Sequence, residues 1–286
     1  MPNTRPNPTL RNLKLREKLR SLRLEQGKRI EDIAESVGLS VSALSRMENG
    51  DRKILPRTVR LLAEPLNLTN AQKNELITLA KEAEQHGWWT EYGQAVPKWF
   101  DSYVGLEAAA DSIRTYENEL VHGLLQTPEY ARAVYLAAQP HLSEEERERY
   151  IELRMARQEV LTSTECPDLW FILNEAVIRR VVGGPAVMRD QLTRILQTAE
   201  APNVRIQVLP YSIGAHAAMD GRFVLLTLPE HTAPDLVYIE YSYGSLYLDR
   251  KDDLKRYSWM FEQLRADALA PSTSSSLIRQ VMKEFT

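Results

Sequence analysis

Apolar positions recur at helical spacing through residues 10–83 of the chain. Leu15, Leu19 and Leu22 form the first stripe, and this helix is expected to end before Gly27. Four further stripes follow, at Ile33, Ala34 and Val37; at Leu44 and Met47; at Val59, Leu62, Ala63 and Leu66; and at Leu76, Leu79, Ala80 and Ala83. The last helix should begin at Thr69, which forms a capping box with Gln72. The pattern predicts a compact all-α domain of five short helices.

The second and third helices are separated by a short break at residues 38–40. Gly38 can adopt a positive φ without the steric cost that a side chain would add. Ser40 is placed to accept a hydrogen bond from a backbone N–H of the next helix, as an N-cap does. Two helices joined in this way are typical of a helix-turn-helix, which presents its second helix to the major groove of DNA.

Beyond residue 105 the pattern mixes helical and strand periods. Helices are predicted at residues 106–120, 127–138, 142–161, 175–182, 185–199, 249–268 and 277–285, the second with Pro128 at N1 after the Thr127 cap. Strands are predicted at residues 169–174, 204–208, 223–228, 236–241 and 245–248. The economical architecture is α+β, with helices packed on a mixed sheet of four or five strands.

Composition suggests how these segments divide into domains. Residues 1–9 hold three prolines and two asparagines and are predicted to be a disordered arm, with contact of Arg5 and Arg11 to DNA as the alternative. Residues 84–105 form an aromatic-rich strap expected to be buried against the C-terminal domain or a second subunit; its aromatics are Trp88, Trp89, Tyr92, Trp99, Phe100 and Tyr103. Stacking on single-stranded nucleic acid is disfavoured, because only Lys98 adds positive charge there. Residues 106–270 form the α+β domain, and residues 271–286 a serine-rich spacer and a last helix.

The net charge of −3 hides an asymmetry along the chain. Residues 1–60 contain 14 Lys and Arg against 7 Asp and Glu, whereas the other residues contain 22 against 32. Basic charge around a helix-turn-helix is expected of a surface that meets phosphates. The single cysteine, Cys166, excludes an internal disulfide, and no apolar run approaches the ~20 residues of a membrane span. We expect a cytoplasmic protein that associates with the nucleoid when it binds DNA.

No constellation of residues indicates catalysis. The five histidines, His86, His122, His141, His216 and His231, show no metal-ligand spacing, and no phosphate-cradling or dinucleotide pattern occurs. Cys166 precedes a proline and has no evident catalytic partner. We therefore expect no enzymatic activity, no cofactor and no metal.

The N-terminal domain resembles the Xre, or Cro/repressor, type of helix-turn-helix domain over residues 11–68. The resemblance rests on Leu15, Leu19 and Arg23, on Ile33-Ala34, on Val37-Gly38-Leu39-Ser40, and on the run from Leu44 to Gly50. It implies a lambda-repressor-like fold in which the base-reading residues are Val41, Ser42, Ser45 and Arg46. Arg46 is the best candidate for specific readout, because guanidinium can bond guanine O6 and N7 together.

Phosphate contacts are expected from residues on both sides of the recognition helix. Asn49 should meet phosphate, and Arg52, Lys53 and Arg57 should add charge. The family usually begins its first motif helix with a small cap residue and a glutamine, where this chain has Arg29 and Ile30. Lys28 and Arg29 are hypothesised to supply the missing phosphate contact.

The chain from Trp88 onward resembles the C-terminal domain of uncharacterised function of actinobacterial Xre-type regulators, as in WhiJ-like proteins. The carrying residues include Trp99-Phe100, Gly105-Leu106-Glu107, Gly123 to Thr127, Arg157-Gln158, Gln207 to Pro210 and Asp249-Arg250. The family usually has proline where this chain has His122. The resemblance implies transcriptional control, often beside a gene for a small partner protein.

These observations together predict a sequence-specific transcriptional regulator that binds double-stranded DNA as a homodimer on palindromic operators. Its C-terminal domain would dimerise and receive a signal from a small protein partner, or from a small-molecule effector in a pocket lined by Trp170, Phe171, Tyr211 and His216. The alternatives are an antitoxin-like protein that sequesters a small partner and, more remotely, an enzyme fused to a helix-turn-helix domain.

Overall fold

The computed structural model describes residues 7–49, 52–95, 98–163, 166–229, 234–242 and 244–285. The chain forms two compact units. One contains Thr4–Thr90 and Leu228–Pro234, and the other contains Glu91–Thr227 and Asp235–Thr286.

The N-terminal unit contains the five predicted helices. They are α1 (Pro8–Glu25), α2 (Ile30–Ser36), α3 (Val41–Asn49), α4 (Pro56–Leu62) and α5 (Asn70–Ala83). The predicted apolar stripes meet in one core; among its buried members are Leu15, Leu19, Ile33, Leu44, Met47, Val59, Leu62, Leu76 and Leu79. Removal of this apolar surface from water, rather than helix propensity, holds such short helices together.

The turn chemistry read from the sequence is present in the structure. Gly38 has a φ of 66°, in the left-handed region that favours glycine. The Ser40 hydroxyl accepts a hydrogen bond of 3.2 Å from the Ala43 N–H, and Thr69 and Gln72 form the capping box at the start of α5. These caps satisfy backbone donors that have no partner within their helix.

Helix α1 includes the last two residues of the arm predicted over residues 1–9. Helix α1 begins at Pro8, because the Asn7 side chain accepts a hydrogen bond from the Leu10 N–H. Proline fits the first turn, where the backbone N–H that it lacks would have no partner within the helix. Residues 1–6, including Arg5, lie outside the described part of the chain.

The C-terminal unit is built on a mixed sheet of six strands in the order β3–β2–β1–β4–β5–β6. The strands are β1 (Ser112–Glu117), β2 (Asp168–Asn174), β3 (Val204–Leu209), β4 (Phe223–Thr227), β5 (Leu236–Tyr241) and β6 (Gly244–Leu248). Strands β1 to β3 pair in parallel, whereas β4 pairs antiparallel with β1, β5 with β4, and β6 with β5.

Within the described residues, this unit has seven α-helices: α6 (Lys98–Glu107), α7 (Pro128–Ala138), α8 (Glu144–Arg157), α9 (Glu175–Arg179), α10 (Pro185–Thr198), α11 (Lys251–Asp267) and α12 (Pro271–Glu284). Helix α11 covers one face of the sheet, where Met260, Phe261 and Leu264 pack in one core with Tyr116 and Ile172. Alternation along β2 sends Phe171 to the opposite face, where its ring lies 5.3 Å from that of His122.

The prediction of a helix at residues 106–120 was wrong, and the sheet has six strands rather than four or five. Helix α6 ends at Glu107, and Ser112–Glu117 forms β1 in the middle of the sheet. A central strand is buried on both faces, so its sequence lacks the clean alternation that marks a half-buried strand. Ladders with β2 and β4 decided its conformation.

Two boundary segments also differ from their predictions. The second half of the strap is helix α6, which runs past residue 105, and the first half is a 3₁₀ segment at Trp88–Ala95. Pro97 and the Trp99 side chain lie outside the described residues. The serine-rich segment is part of α12 and not a spacer, because its serines bond within the fold: Ser274 is fully buried, and its hydroxyl accepts from the Val208 N–H and donates to the Leu269 carbonyl.

Candidate nucleic-acid interface

The recognition helix α3 is held by polar bonds from α1. Arg23 donates from Nε and Nη2 to the two carboxylate oxygens of Glu48, each at 2.7 Å. Arg16 donates to the backbone carbonyl of Glu48 at 3.2 Å. The Arg23 and Glu48 side chains are only 12% and 11% exposed, and their hydrogen bonds raise the pKa of Arg23. Such a bidentate pair fixes orientation as well as distance.

The apolar face of α3 complements this polar anchor. Ala43, Leu44 and Met47 are buried, and the latter two pack in the core of the N-terminal unit. Helical geometry therefore directs the remaining positions away from that core. Val41, Ser42, Arg46 and Asn49 are exposed, and Ser45 is half-buried.

The candidate base-reading side chains share one outward surface and make only local bonds. Arg46 donates from Nε to the Ser42 carbonyl at 3.2 Å, and the Ser42 hydroxyl lies 3.3 Å from that of Ser40. Asn49 donates to the Ser45 hydroxyl at 3.4 Å. Exposed bonds of this kind are easily exchanged for bonds to base edges or phosphates. The surface supplies donors, acceptors and, at Val41, an apolar contact for a thymine methyl.

Basic residues extend this surface beyond the end of α3. Arg52, Lys53 and Arg57 are all exposed. The Arg52 N–H donates to the Arg46 carbonyl at 3.1 Å, which ties the segment to the end of the helix. Their positive charge therefore lies on the exposed surface next to the end of α3.

Lys28 and Arg29 have partners within the protein. The Lys28 ammonium bonds the Pro65 carbonyl, whereas Arg29 donates to both oxygens of Asp32, at 3.2 and 3.0 Å. The Arg29 hydrogen bonds lower the pKa of Asp32. This pair is exposed and can open at little cost, so Arg29 is the better placed of the two for phosphate.

The residues that brace α3, Arg16 and Arg23, were not among the predicted site residues. Arg23 and Glu48 both stand in the motif that carried the resemblance, 25 positions apart. Because the sequence alone does not place the end of α1 beside the end of α3, only the fold brings the two charges together.

The four residues proposed for a ligand pocket are not brought together in the C-terminal unit. Trp170 and Phe171 point to opposite faces of the sheet; Trp170 donates to Gln207 at 2.8 Å on one face, and Phe171 is fully buried on the other. Tyr211 is 57% exposed. His216 lies with its Nε2 3.2 Å from the Tyr116 hydroxyl, and burial lowers its pKa.

Within the described ranges, no group of three or more His, Cys, Asp or Glu is arranged to hold a metal ion. No helix in the described part of the chain is both long and apolar enough to cross a membrane.

The fold and the exposed face of α3 define a helix-turn-helix DNA-binding regulator. Residues 19–70 match the family model described as helix-turn-helix, HTH_3. Residues 100–280 match the model described as a domain of unknown function, DUF5753. The second match covers more than half of the chain, so the protein belongs to the DUF5753 family, and its pairing with the first confirms the resemblance seen in the sequence. Comparisons with curated proteins and with solved structures gave no match.

Proposed function

We propose that the protein is a transcriptional regulator that binds palindromic operators as a homodimer through α3. The observation that carries this proposal is the division of α3 into a core face, anchored by Arg23 and Glu48, and an outward face bearing Val41, Ser42 and Arg46. A rigidly held helix with adaptable surface donors suits direct readout in the major groove.

Specificity in this proposal comes chiefly from Arg46. Its guanidinium can leave the Ser42 carbonyl and bond guanine O6 and N7 together, a geometry that no other base offers. Arg52, Lys53 and Arg57 set affinity without reading sequence. Two-fold symmetry would place the two recognition helices about 34 Å apart, on half-sites one helical turn apart.

The C-terminal unit would dimerise and receive the signal, and we favour a small protein partner over a small-molecule effector. The separation of Trp170 and Phe171 onto opposite faces removes the basis for the pocket first proposed. We propose no enzymatic role for this unit, and the protein would act on DNA in the cytoplasm.

Selection of bound sequences from a random duplex library by the full-length protein tests the proposal. The selected sites should be palindromic, with half-sites about one turn apart, and sedimentation should find two protein chains per duplex. Affinity should fall by about 10³-fold or more between about 50 and 200 mM salt if six or more phosphates are contacted. Asymmetric sites bound by one chain would overturn the dimer, and salt-insensitive binding would overturn the interface.

A further inference from the structure

A buried carboxyl group lies at the end of the central strand β1. Glu117 is 1% exposed, and its Oε1 accepts a hydrogen bond of 3.0 Å from the Thr115 hydroxyl. Its Oε2 has no hydrogen-bond partner in the described part of the chain. An ionised carboxylate with an unsatisfied buried oxygen is costly, so this environment favours the protonated form.

The nearest cation to this oxygen is already engaged elsewhere. Arg222, just before β4, has Nη1 3.7 Å from Glu117 Oε2, but its Nη2 lies 2.9 Å from Glu240 Oε2 on β5. Tyr238 also donates to Glu240 Oε2, at 3.4 Å. One guanidinium therefore stands between two carboxyl groups and forms its close pair with only one of them.

The other polar groups around Glu117 do not supply the missing charge. On α7, the Tyr130 hydroxyl accepts a hydrogen bond from the Val121 N–H. His122 stays neutral, because burial, followed by the charges of Arg157, Arg222 and Arg154, holds its pKa well below the usual value. Arg157 on α8 is paired with Glu107 on α6 at 2.8 Å, and the exposed Glu119 is paired with Arg180.

We propose that Glu117, Arg222 and Glu240 form a proton-controlled switch: Arg222 pairs with Glu240 while Glu117 carries a proton, and shifts to Glu117 when that proton is lost. The structure corresponds to the protonated state. A shift of less than about 1 Å would bring Arg222 Nη1 within hydrogen-bond distance of Glu117 Oε2.

Glu117 should gain and lose its proton near neutral pH. Burial raises the pKa of Glu117 to about 7, although Arg222 and the Thr115 hydroxyl act against the rise. A raised carboxyl pKa adds stability at low pH that is lost as the pH rises through the folded-state value. Titration of Glu117 should therefore remove stability from the C-terminal unit as the pH rises from 4.5 to about 7, and the loss should stop above that value.

A chain of side-chain contacts connects Glu240 to helices α6 and α8. Tyr238, which bonds Glu240, stacks on Tyr103 of α6 with ring centroids 4.1 Å apart. The Tyr103 ring in turn lies under the Arg157 guanidinium, 5.5 Å from its centroid. The switch thus touches the contacts that hold α6 to the sheet.

Thermal unfolding of the full chain from about pH 5 to about pH 9 tests the switch. The Tm of the wild type relative to that of Glu117→Gln should fall as the pH rises from about 5 and level off near pH 7, so that Glu117→Gln has the higher Tm at high pH. Glu119→Gln, which changes an exposed pair, is the matched control and should keep the wild-type profile.

Glu240→Gln gives an independent result should Glu117→Gln fail to fold. It frees Arg222 to pair with Glu117, so the pH at which the loss levels off should move down by about one unit or more. Carboxyl ¹³C chemical shifts of Glu117 should titrate with midpoints at the same two pH values in the wild type and in Glu240→Gln. A wild-type chemical-shift midpoint below about pH 5, a Tm difference between the wild type and Glu117→Gln that does not change with pH, or a levelling-off pH unchanged in Glu240→Gln would each overturn the switch.

Discussion

Arg23 of α1 donates two hydrogen bonds of 2.7 Å to the carboxylate of Glu48 in α3, and this pair orients the recognition helix. Both side chains are nearly buried, so solvent screens their attraction far less than that of a surface pair. The third Arg23 nitrogen donates to the Lys28 carbonyl at 3.0 Å, which links the pair to the chain entering α2. The exposed face of α3 is therefore braced from behind by the Arg23 guanidinium, together with the Arg16 bond to the Glu48 carbonyl.

Breaking this pair should destabilise the N-terminal unit. Glu48→Ala leaves Arg23 largely buried without its carboxylate, and the cost should be about 1–3 kcal/mol. Chemical denaturation followed by circular dichroism measures it. Arg29→Ala is the matched control, because it breaks an exposed arginine–aspartate pair and should leave the unfolding free energy nearly unchanged. Equal costs for the two variants would contradict a bracing role.

Replacing Arg46 should weaken recognition more than folding. Arg46→Ala should cost about 1–3 kcal/mol of operator binding and relax base preference at one position in each half-site. Fluorescence anisotropy with single-base operator variants measures both effects. Arg279→Ala, which removes an exposed arginine from α12, should leave affinity and preference unchanged. An Arg46 variant that weakens binding to all duplexes alike would make Arg46 a phosphate contact.

The Glu107–Arg157 pair should couple strongly. Arg157 donates two hydrogen bonds of 2.8 Å to Glu107, and the two side chains are 6% and 2% exposed respectively. The Arg157 guanidinium also lies 4.8 Å from the Phe100 ring centroid. Arg157→Met would leave a buried unpaired carboxylate and should cost about 3–5 kcal/mol. Adding Glu107→Gln should restore part of that loss, as a double-mutant cycle by denaturation would measure. Additive losses would show that the two residues do not interact.

Ser274 should contribute more to the unfolding free energy than the nearby Ser276 does. Its hydroxyl receives the Val208 N–H at the edge of β3 and donates to the Leu269 carbonyl, at 2.9 and 3.0 Å. Ser274→Ala would leave both backbone groups without this partner and should cost about 1–3 kcal/mol. Ser276→Ala, two positions along α12, removes an exposed hydroxyl and should change the unfolding free energy by less than about 0.5 kcal/mol.

Local signals in the sequence predicted the N-terminal unit well. Gly38, Ser40 and the Thr69–Gln72 pair interact only with residues close in the chain, so their conformations follow from local sterics and capping. The resemblance indicated the outward face of α3, and all four base-reading candidates lie there, with Ser45 half-buried. Arg23 and Arg16 were missed as supporting residues, because their partner on α3 is reached only through the fold.

The C-terminal unit was less predictable, because its central features depend on distant partners. Residues 112–117 become β1 only between β2 and β4, which lie more than fifty and one hundred positions along the chain. The serines of α12 looked like a spacer by composition, yet burial of Ser274 against β3 places them in a helix. Trp170 and Phe171 were predicted to line one pocket, but adjacent residues of a strand face opposite sides of the sheet.

Periodicity and short-range signals were enough to predict the helix-turn-helix and its caps, and the resemblance to the Xre type indicated the residues that face outward from α3. Long-range contacts were needed to show that Arg23 braces Glu48, that β1 is a central strand of a six-stranded sheet, and that Arg222 lies between Glu117 and Glu240. One reason accounts for all three. Ion pairing, strand pairing and the burial of a charge depend on distances in space, which hydrophobic patterning along the chain does not encode.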